Sequence, residues 1–268
     1  MLILLPPSEG KAEAAAGAPV DLAELWLPPL TTARRRVLTR LVALCGRTSR
    51  RGRDGALAAL GLTAGQDTEL TRNATLLQAP AAPAAEVYRG VLYEALDPGT
   101  LGPDARGWLD ERVVVASALW GAVRLTDRIP AYRCSAGAQL PVLGGLAAYW
   151  RKALRPALDR AVGDRPVLDL RSGAYAAMWA PTGAVAARTA VVRVLHERIV
   201  DGTPRRSVVS HFNKATKGRL VRGLATAGVR PESVDDIVGM LRDLGHTVEE
   251  GPARPDRPRC LDLVVTEV

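Results

Sequence analysis

The residues of this chain whose types and spacing most suggest chemistry lie in the segment 210–224, SHFNKATKGRLVRGL. On a predicted helix, Asn213 and Lys217 are four residues apart and point into the apolar stripe. An isolated ammonium is costly to bury, so an inward-facing lysine needs a partner, a solvated cleft or a chemical task. The alternative is a lysine whose stem lies on the core while its head reaches water.

Lysine is rare in this chain, which makes each lysine informative. Four of the 36 basic residues are lysines, namely Lys11, Lys152, Lys214 and Lys217. In a chain that otherwise uses arginine, a lysine marks a place where a compact ammonium is preferred over a guanidinium. Two of the four lie in the segment 210–224, which favours a functional role for Lys217.

Polar residues cluster at the points where predicted strands end. Loops beyond the strand ends of an α/β sheet gather into one crevice, so we expect a positive cleft suited to phosphate or carboxylate. Separate surface loops and buried ion pairs are the alternative. The four clusters are Ser8, Glu9 and Lys11; Asp127, Tyr132 and Arg133; Asp169, Arg171, Ser172 and Tyr175; and His211, Asn213, Lys214 and Lys217.

The elements that would position these clusters alternate between strands and helices. The patterns predict strands at 2–5, from 112, from 166, and at 189–199, 205–210, 245–250 and 261–267. They predict helices at 31–46, 54–60, 66–77, 85–96, 142–162 (kinked or split at Pro156), 210–224 and 232–243. We therefore expect one mixed α/β (α+β) domain over residues 1–268, with a central mixed sheet, flanking helices and a helical N-terminal insertion over 31–77.

The chain is strongly basic, with a formal net charge of +8 and a pI of about 9.9. Residues 34–53 hold eight arginines and no acid, Arg34 and Arg35 among them. Such a run indicates a phosphate-binding patch or a solvated helix face. The stretch LGLTAG, from Leu60 to Gly65 with Gly61 between them, joins two predicted helices. Its outline is that of a helix-hairpin-helix element, whose amides can bind a DNA phosphate.

Several chemistries and locations are disfavoured by the sequence. PPSEGKAE lacks the spacing of a phosphate loop, and no GxGxxG, HExxH or GxSxG motif occurs. Three histidines without ligand spacing predict no metal, and we expect no cofactor. Three scattered cysteines indicate a reducing cytoplasm, and MLILL indicates a first strand rather than a signal peptide. No apolar run reaches the roughly 18 residues of a membrane span, so no membrane association is expected.

Six sequence blocks occur in the same order as in the YaaA family of bacterial peroxide stress proteins and resemble that family. Their residues are most similar to those of its actinobacterial branch. The blocks are LILLPPSEGK, VYRGVLYEAL, ASALWGAVRLTDRIPAYR, AAYW, LDLRSGAY and SHFNKATKGRLVR. The resemblance implies a single mixed α/β domain with a positive cleft, a helix-hairpin-helix element and binding to duplex or distorted DNA. The positions it assigns are Lys11, Tyr132, Arg133, Ser172, Tyr175, Lys214, Lys217 and the hairpin around Gly61–Gly65.

Two functions follow from these observations. The first is a cytoplasmic DNA-binding protein of the peroxide stress response, in which phosphates contact the Arg34–Arg53 helix surface, the hairpin amides and the cleft. The second is an enzyme acting on a DNA lesion, a nucleotide or a small anionic metabolite, with Lys217 as base or Schiff-base nucleophile. In the enzyme, Lys214, Arg133 and Arg171 would hold an anionic group, and Asn213, Tyr132 and Tyr175 would orient the substrate. Anion or DNA binding is also expected at Ser8, Lys11, Ser172 and His211.

Overall fold

The computed structural model describes residues 1–200, 203–252 and 254–266, without the side chains of Val200, Ser210 and His211. The strands are β1 (Leu2–Leu5), β2 (Ala82–Pro83), β3 (Val113–Ser117), β4 (Gly121–Arg124), β5 (Arg128–Ile129), β6 (Gln139–Leu140), β7 (Gly144–Gly145), β8 (Val167–Asp169), β9 (Thr189–Val200), β10 (Thr203–Ser207), β11 (Thr247–Glu250) and β12 (Arg259–Val265). The helices are α1 (Thr31–Cys45), α2 (Arg50–Leu60), α3 (Thr68–Ala74), α4 (Ala84–Val87), α5 (Val91–Leu96), α6 (Pro103–Arg112), α7 (Leu146–Val162), α8 (Gly173–Ala176), α9 (Gly183–Ala187), α10 (Ser210–Ala227) and α11 (Val234–Asp243).

A mixed eight-stranded sheet forms the centre of the molecule. Its order is β11-β12-β9-β8-β1-β3-β4, and β10 pairs with β9 beside this path. Neighbouring strands from β12 to β3 run parallel, whereas β4, β10 and β11 pair antiparallel with their neighbours. β1 and β3 are buried along their whole length because their apolar sequences, LILL and VVVAS, suit strands covered on both faces. The mixed α/β sheet with flanking helices is as predicted.

The parallel strands bring the polar loops to one edge of the sheet. β1, β3 and β8 are adjacent and parallel, so their carboxyl ends lie side by side. The loop 6–11 follows β1, Ser117 ends β3, and the segment 170–172 follows β8. This edge is therefore where the candidate site is to be sought.

The N-terminal helical region is also present, with somewhat different bounds. α1 matches the predicted helix at 31–46, whereas α2 begins at Arg50 and α3 covers only Thr68–Ala74. α6 and α9 were not predicted. α7 passes through Pro156 as one helix, so of the two predicted effects of this proline the split does not occur. Within the described residues no helix is long and apolar enough to cross a membrane.

The predicted helix at 85–96 is interrupted, and the interruption shapes the site. Tyr88 is extended after α4, and Gly90, with a φ of 104°, precedes α5. The extended backbone at Tyr88 forms an isolated antiparallel bridge with Lys11. Gly90 permits this turn because its φ lies in a region of backbone conformation that residues with a Cβ rarely adopt.

α10 packs closely against α5 because a glycine lies at their contact. A Cβ on Gly218 would lie 2.2 Å from the carbonyl oxygen of Leu92 and 2.8 Å from the Cβ of Ala95. The buried residues on this helix include Leu220 and Leu224, as the helical periodicity predicts. This contact fixes the position of the neighbouring Lys217 over the carboxyl end of β8.

Candidate functional site

The loop after β1 is held against the break between α4 and α5. The Ala12 amide donates to the Val87 carbonyl at 2.8 Å, and the Arg89 amide donates to the Gly10 carbonyl at 3.1 Å. The Ser8 hydroxyl accepts from the Arg89 amide at 3.1 Å and donates to the Gly10 carbonyl at 2.6 Å. Ser8 therefore shapes the loop.

Lys11 turns its ammonium back over buried tyrosines. Its Nζ donates to the Ser8 carbonyl at 2.6 Å and lies 4.3 Å from the ring centroid of Tyr132 and 5.6 Å from that of Tyr88. Burial lowers the pKa of Lys11 to about 8, with the Arg133 charge lowering it too and Glu9 opposing. An amine with such a pKa is partly neutral at physiological pH.

The tyrosine hydroxyls beneath Lys11 form a buried chain that ends on β3. The Tyr132 hydroxyl lies 3.0 Å from the Tyr88 hydroxyl and 2.7 Å from the Ser117 hydroxyl, and Ser117 also accepts from the Trp120 amide at 3.0 Å. Burial raises the pKa of Tyr132 and of Tyr88 well above the usual value. Both phenols are therefore neutral hydrogen-bond donors.

Tyr175 and Cys134 border the same tyrosines. Burial raises the pKa of Tyr175, and its interactions with Tyr88, Cys134 and Glu9 raise it further. Burial raises the pKa of Cys134 to about 12, while the Lys11 charge acts in the opposite direction. We call Lys11, Tyr88, Ser117, Tyr132, Cys134 and Tyr175 the Lys11 cluster.

Arg133 lies beside the Lys11 cluster but already has partners. Its guanidinium forms an ion pair with Glu9, and its backbone is held by the buried Asn73 of α3. The Asn73 amide nitrogen donates to the Arg133 carbonyl at 2.7 Å, and its oxygen accepts from the Arg133 amide at 2.9 Å. The half-buried Arg133 thus presents a fixed charge near Lys11, partly neutralised by Glu9.

Arg171, which was expected to bind anions, is an internal structural residue. Its guanidinium makes two hydrogen bonds to the Asp169 carboxylate, at 2.9 and 2.7 Å, and the side chain is 2% exposed. It also donates to the Tyr175 carbonyl at 3.1 Å and the Trp179 carbonyl at 2.7 Å. The anion-binding prediction for Arg171 is wrong because Asp169 and the backbone occupy its donors.

Lys217 faces inward, as its spacing predicts. Its Nζ donates to the Leu170 carbonyl at 2.8 Å, just beyond β8. Burial lowers its pKa, and the nearby Asp169 charge opposes this by favouring the ammonium. In the described part of the chain no hydrogen bond or ion pair joins Lys217 to Lys11, Tyr132 or Arg133. The catalytic role of Lys217 stays a prediction.

The remaining residues of the fourth cluster are arranged around the start of α10. Asn213 is placed to donate from its amide to the carbonyls of Val194 and Val209, at 3.1 and 3.3 Å, which anchors the helix to β9. Lys214 is exposed, as is Ser172 at the start of α8. The predicted role of His211 concerns a side chain outside the described residues.

Arg34 cannot contact DNA phosphates, because it is fully buried. Its guanidinium donates only to backbone carbonyls, and the prediction that it binds phosphate is wrong. The acceptors are the carbonyls of Trp120 (3.0 Å), Leu25 (3.3 Å), Leu27 (3.3 Å), Trp26 (2.5 Å) and Ala122 (2.8 Å).

The neighbouring arginines form an exposed surface. We call Arg35, Arg36, Arg40, Arg47, Arg50 and Arg51 the α1–α2 arginine surface, and all six are exposed. Among the described side chains none of the six forms an ion pair with a carboxylate. Arg53, by contrast, pairs with Asp67.

The hairpin between α2 and α3 has few free amides. Gly61 ends α2 with a φ of 66°, and its amide donates to the Ala58 carbonyl at 3.1 Å. The amides of Leu62, Thr63 and Gln66 are also bonded within the hairpin. Within the described residues, the backbone amides of Ala64 and Gly65 make no such bond, and both residues are exposed.

Comparison with known proteins identifies full-length relatives. The family model described as "Peroxide stress protein YaaA" matches residues 1–251. A UPF0246 protein of Streptomyces coelicolor is 53% identical over 269 residues, with 100% of both chains covered. A UPF0246 protein of Corynebacterium efficiens is 41% identical over 269 residues, which is 99% of this chain and 100% of that protein. An uncharacterized protein of Campylobacter jejuni is 29% identical over 146 residues, 54% of each chain.

Proposed function

Because the chain belongs to the YaaA family of peroxide stress proteins, we propose that it acts in that response by binding DNA through the α1–α2 arginine surface. The observation that carries the proposal is the set of six exposed arginines that have no acidic partner among the described side chains. Exposed guanidiniums without carboxylate partners attract a polyanion, and arginine suits phosphate geometry.

Two backbone features next to these arginines support the proposal. The start of α2 carries Arg50 and Arg51, and the amino end of a helix of 11 residues adds a partial positive charge. At the other end of α2, the unbonded amides of Ala64 and Gly65 are available to one phosphate. Gly61 contributes only the backbone turn, because its own amide is bonded to Ala58.

These contacts are directed at the phosphate backbone rather than at the bases. We therefore expect binding with little dependence on base sequence and with strong dependence on salt. Each phosphate contact contributes about 0.9 to the slope of log affinity against log salt concentration. If Arg35, Arg40 and Arg47 each touch one phosphate, they contribute a share of roughly 2.7 to the slope.

Fluorescence anisotropy with a labelled duplex in a salt series tests this proposal. The test variant is Arg35→Gln, Arg40→Gln and Arg47→Gln combined, which should reduce the magnitude of the slope by about 2.7. The charge-matched control replaces Arg193, Arg206 and Arg259 with Gln. These three arginines form ion pairs with carboxylates, so the control should retain most of the wild-type slope.

Two results would overturn the proposal. One is a flat salt response of the wild-type protein, because phosphate contacts require counterion release. The other is an equal loss of slope in the test and control variants, since net charge rather than this surface would then explain binding. Melting temperatures of both variants within a few degrees of wild type establish that the fold is intact.

A further inference from the structure

We propose that the Lys11 ε-amine is a carbonyl-reactive group, which forms an imine with a phosphate-bearing aldehyde at the mouth of the Lys11 cluster. This proposal goes beyond DNA binding and does not depend on it. The geometry that carries it is a half-buried amine held by backbone carbonyls over two tyrosine rings, in the loop that follows β1.

The hydrogen bonds of Lys11 leave room for a reactive lone pair. The Nζ lies 2.6 Å from the Ser8 carbonyl and 3.4 Å from the Glu9 carbonyl. A neutral amine has two N–H groups and one lone pair, so the two carbonyls can accept both N–H groups and orient the nitrogen. The contact with Glu9 is exposed, which means that an electrophile can approach from the solvent side of the loop.

Burial also increases the fraction of the Lys11 amine that is neutral and can therefore act as a nucleophile. With a pKa of about 8, Lys11 is about one-tenth neutral at pH 7, whereas a lysine at the ordinary 10.5 is neutral about 300-fold less often. Burial lowers the pKa of Lys217 too, with the Asp169 charge acting in the opposite direction, so the mapping experiment below must distinguish the two lysines. Lys152 and Lys214 are exposed and lack such a setting.

The reaction balances without any further reagent. The Lys11 nitrogen attacks the aldehyde carbon, the carbonyl π electrons move to oxygen, and the nitrogen loses a proton while the oxygen gains one. The carbinolamine hydroxyl then takes up a proton and leaves as water while the nitrogen lone pair forms the C=N bond, and the N–H proton of the protonated imine returns to the proton donor. The ring centroid of Tyr132 lies 4.3 Å from the amine, and its hydroxyl, which is linked to those of Tyr88 and Ser117, is the candidate donor.

The cation beside the amine suits an anionic aldehyde. Arg133 is close enough to Lys11 to lower its pKa, and a phosphate would compete with Glu9 for the Arg133 guanidinium. Two chemical sources carry both an aldehyde and a phosphate: the opened sugar of an abasic site in DNA, and a free sugar phosphate.

Reductive trapping with peptide mapping tests the proposal. The intact protein is incubated with glyceraldehyde 3-phosphate or with a duplex containing one abasic site, and the imine is reduced with borohydride. Mass spectrometry then locates the adduct among four lysines and the N-terminal amine, whose pKa is also lowered by burial. We expect labelling at Lys11 to exceed that at Lys152 by on the order of 100-fold at pH 7, and to rise between pH 7 and 9.

Variants and the two probes separate the outcomes. Lys11→Arg should abolish the adduct, whereas Lys152→Arg and Lys217→Arg should retain it. An even distribution over the lysines in the wild-type map, or an adduct mapped to Lys217 or to the N-terminus, would overturn the proposal without any need for a folded variant. Trapping of the abasic duplex alone, or of the free aldehyde alone, identifies the source. If DNA binding fails, the free aldehyde still labels Lys11.

Discussion

Replacing Arg34 with methionine should strongly destabilise the fold. The methionine retains an apolar stem but leaves carbonyls that the guanidinium now satisfies, in the segment 25–27 and at the start of β4. Each buried acceptor left without a donor costs about 1–3 kcal/mol, although such costs are not additive. The Trp120 and Leu27 carbonyls retain second donors, the Ala122 amide at 3.0 Å and the Leu30 amide at 2.9 Å, so their losses are partial.

These considerations give a total loss of roughly 3–5 kcal/mol, similar to breaking a buried charged pair. For a chain of this size about 2 °C of melting temperature corresponds to each kcal/mol, so we expect a decrease of about 6–10 °C. Circular dichroism during heating and urea titration measures both quantities. Arg34→Lys should also destabilise, because one ammonium cannot reach carbonyls arranged for a planar guanidinium.

Arg35→Met is the matched control, since Arg35 is the next residue of the same helix and is exposed. Its stability should lie within about 0.5 kcal/mol of wild type. The DNA measurements should show the opposite ranking. Arg35→Met should lower the salt slope by about 0.9, whereas Arg34→Met should leave it unchanged at a temperature where the protein is folded. A loss below about 1 kcal/mol for Arg34→Met would refute the structural role assigned to it here.

Three further predictions concern other parts of the fold. Gly218→Ala should lower the free energy of unfolding by about 1–3 kcal/mol, because the added methyl group would push α10 away from α5. The control Gly239→Ala, which lies in open space on α11, should raise it by up to about 1 kcal/mol, and equal melting temperatures of the two variants would contradict the close contact. The buried His196 has a pKa below 6.5, so the unfolded chain binds more protons and stability should fall as the pH drops through 6.5. His196→Phe should remove part of that loss in urea titrations at pH 5.5 and 7.5, and an unchanged pH dependence would count against it. Tyr132→Phe should slow imine trapping severalfold without moving the adduct from Lys11, as read from the rate of borohydride-trapped product; an unaltered rate would exclude the hydroxyl chain as proton source.

The burial of Arg34 could be predicted from its position on the helix. Arg34 precedes Val37, Leu38 and Leu41 by three, four and seven residues, so it lies on the buried stripe of α1. The arginines around it favour the other interpretation, in which Arg34 lies on a solvated or phosphate-binding helix face. Helical phase, rather than charge density, was the signal that separates Arg34 from Arg35.

The Lys11 cluster could be predicted only in part. The polar loop PPSEGK identified Lys11 as a candidate site residue, and the order of strands and loops predicted that it would lie at the edge of the sheet. Tyr88 and Ser117 could not be assigned to it, because they occur within apolar patterns that predict a helix and a strand. The helical conformation is interrupted between α4 and α5, where the extended backbone of Tyr88 forms a long-range bridge with Lys11. This interruption places the Tyr88 hydroxyl beside that of Tyr132, which also contacts Ser117.

The three cysteines differ in how readily hydrogen peroxide could reach and oxidise them. Hydrogen peroxide attacks thiolates, and burial raises the pKa of Cys45 to about 11 and that of Cys134 to about 12. Both sulfurs thus remain protonated and shielded. Cys260 is exposed on β12, three positions from β1 in the sheet, so sulfenic acid formation there would spare the Lys11 cluster. Among the three thiols, oxidation by peroxide is therefore expected at the protein surface and not in the buried core.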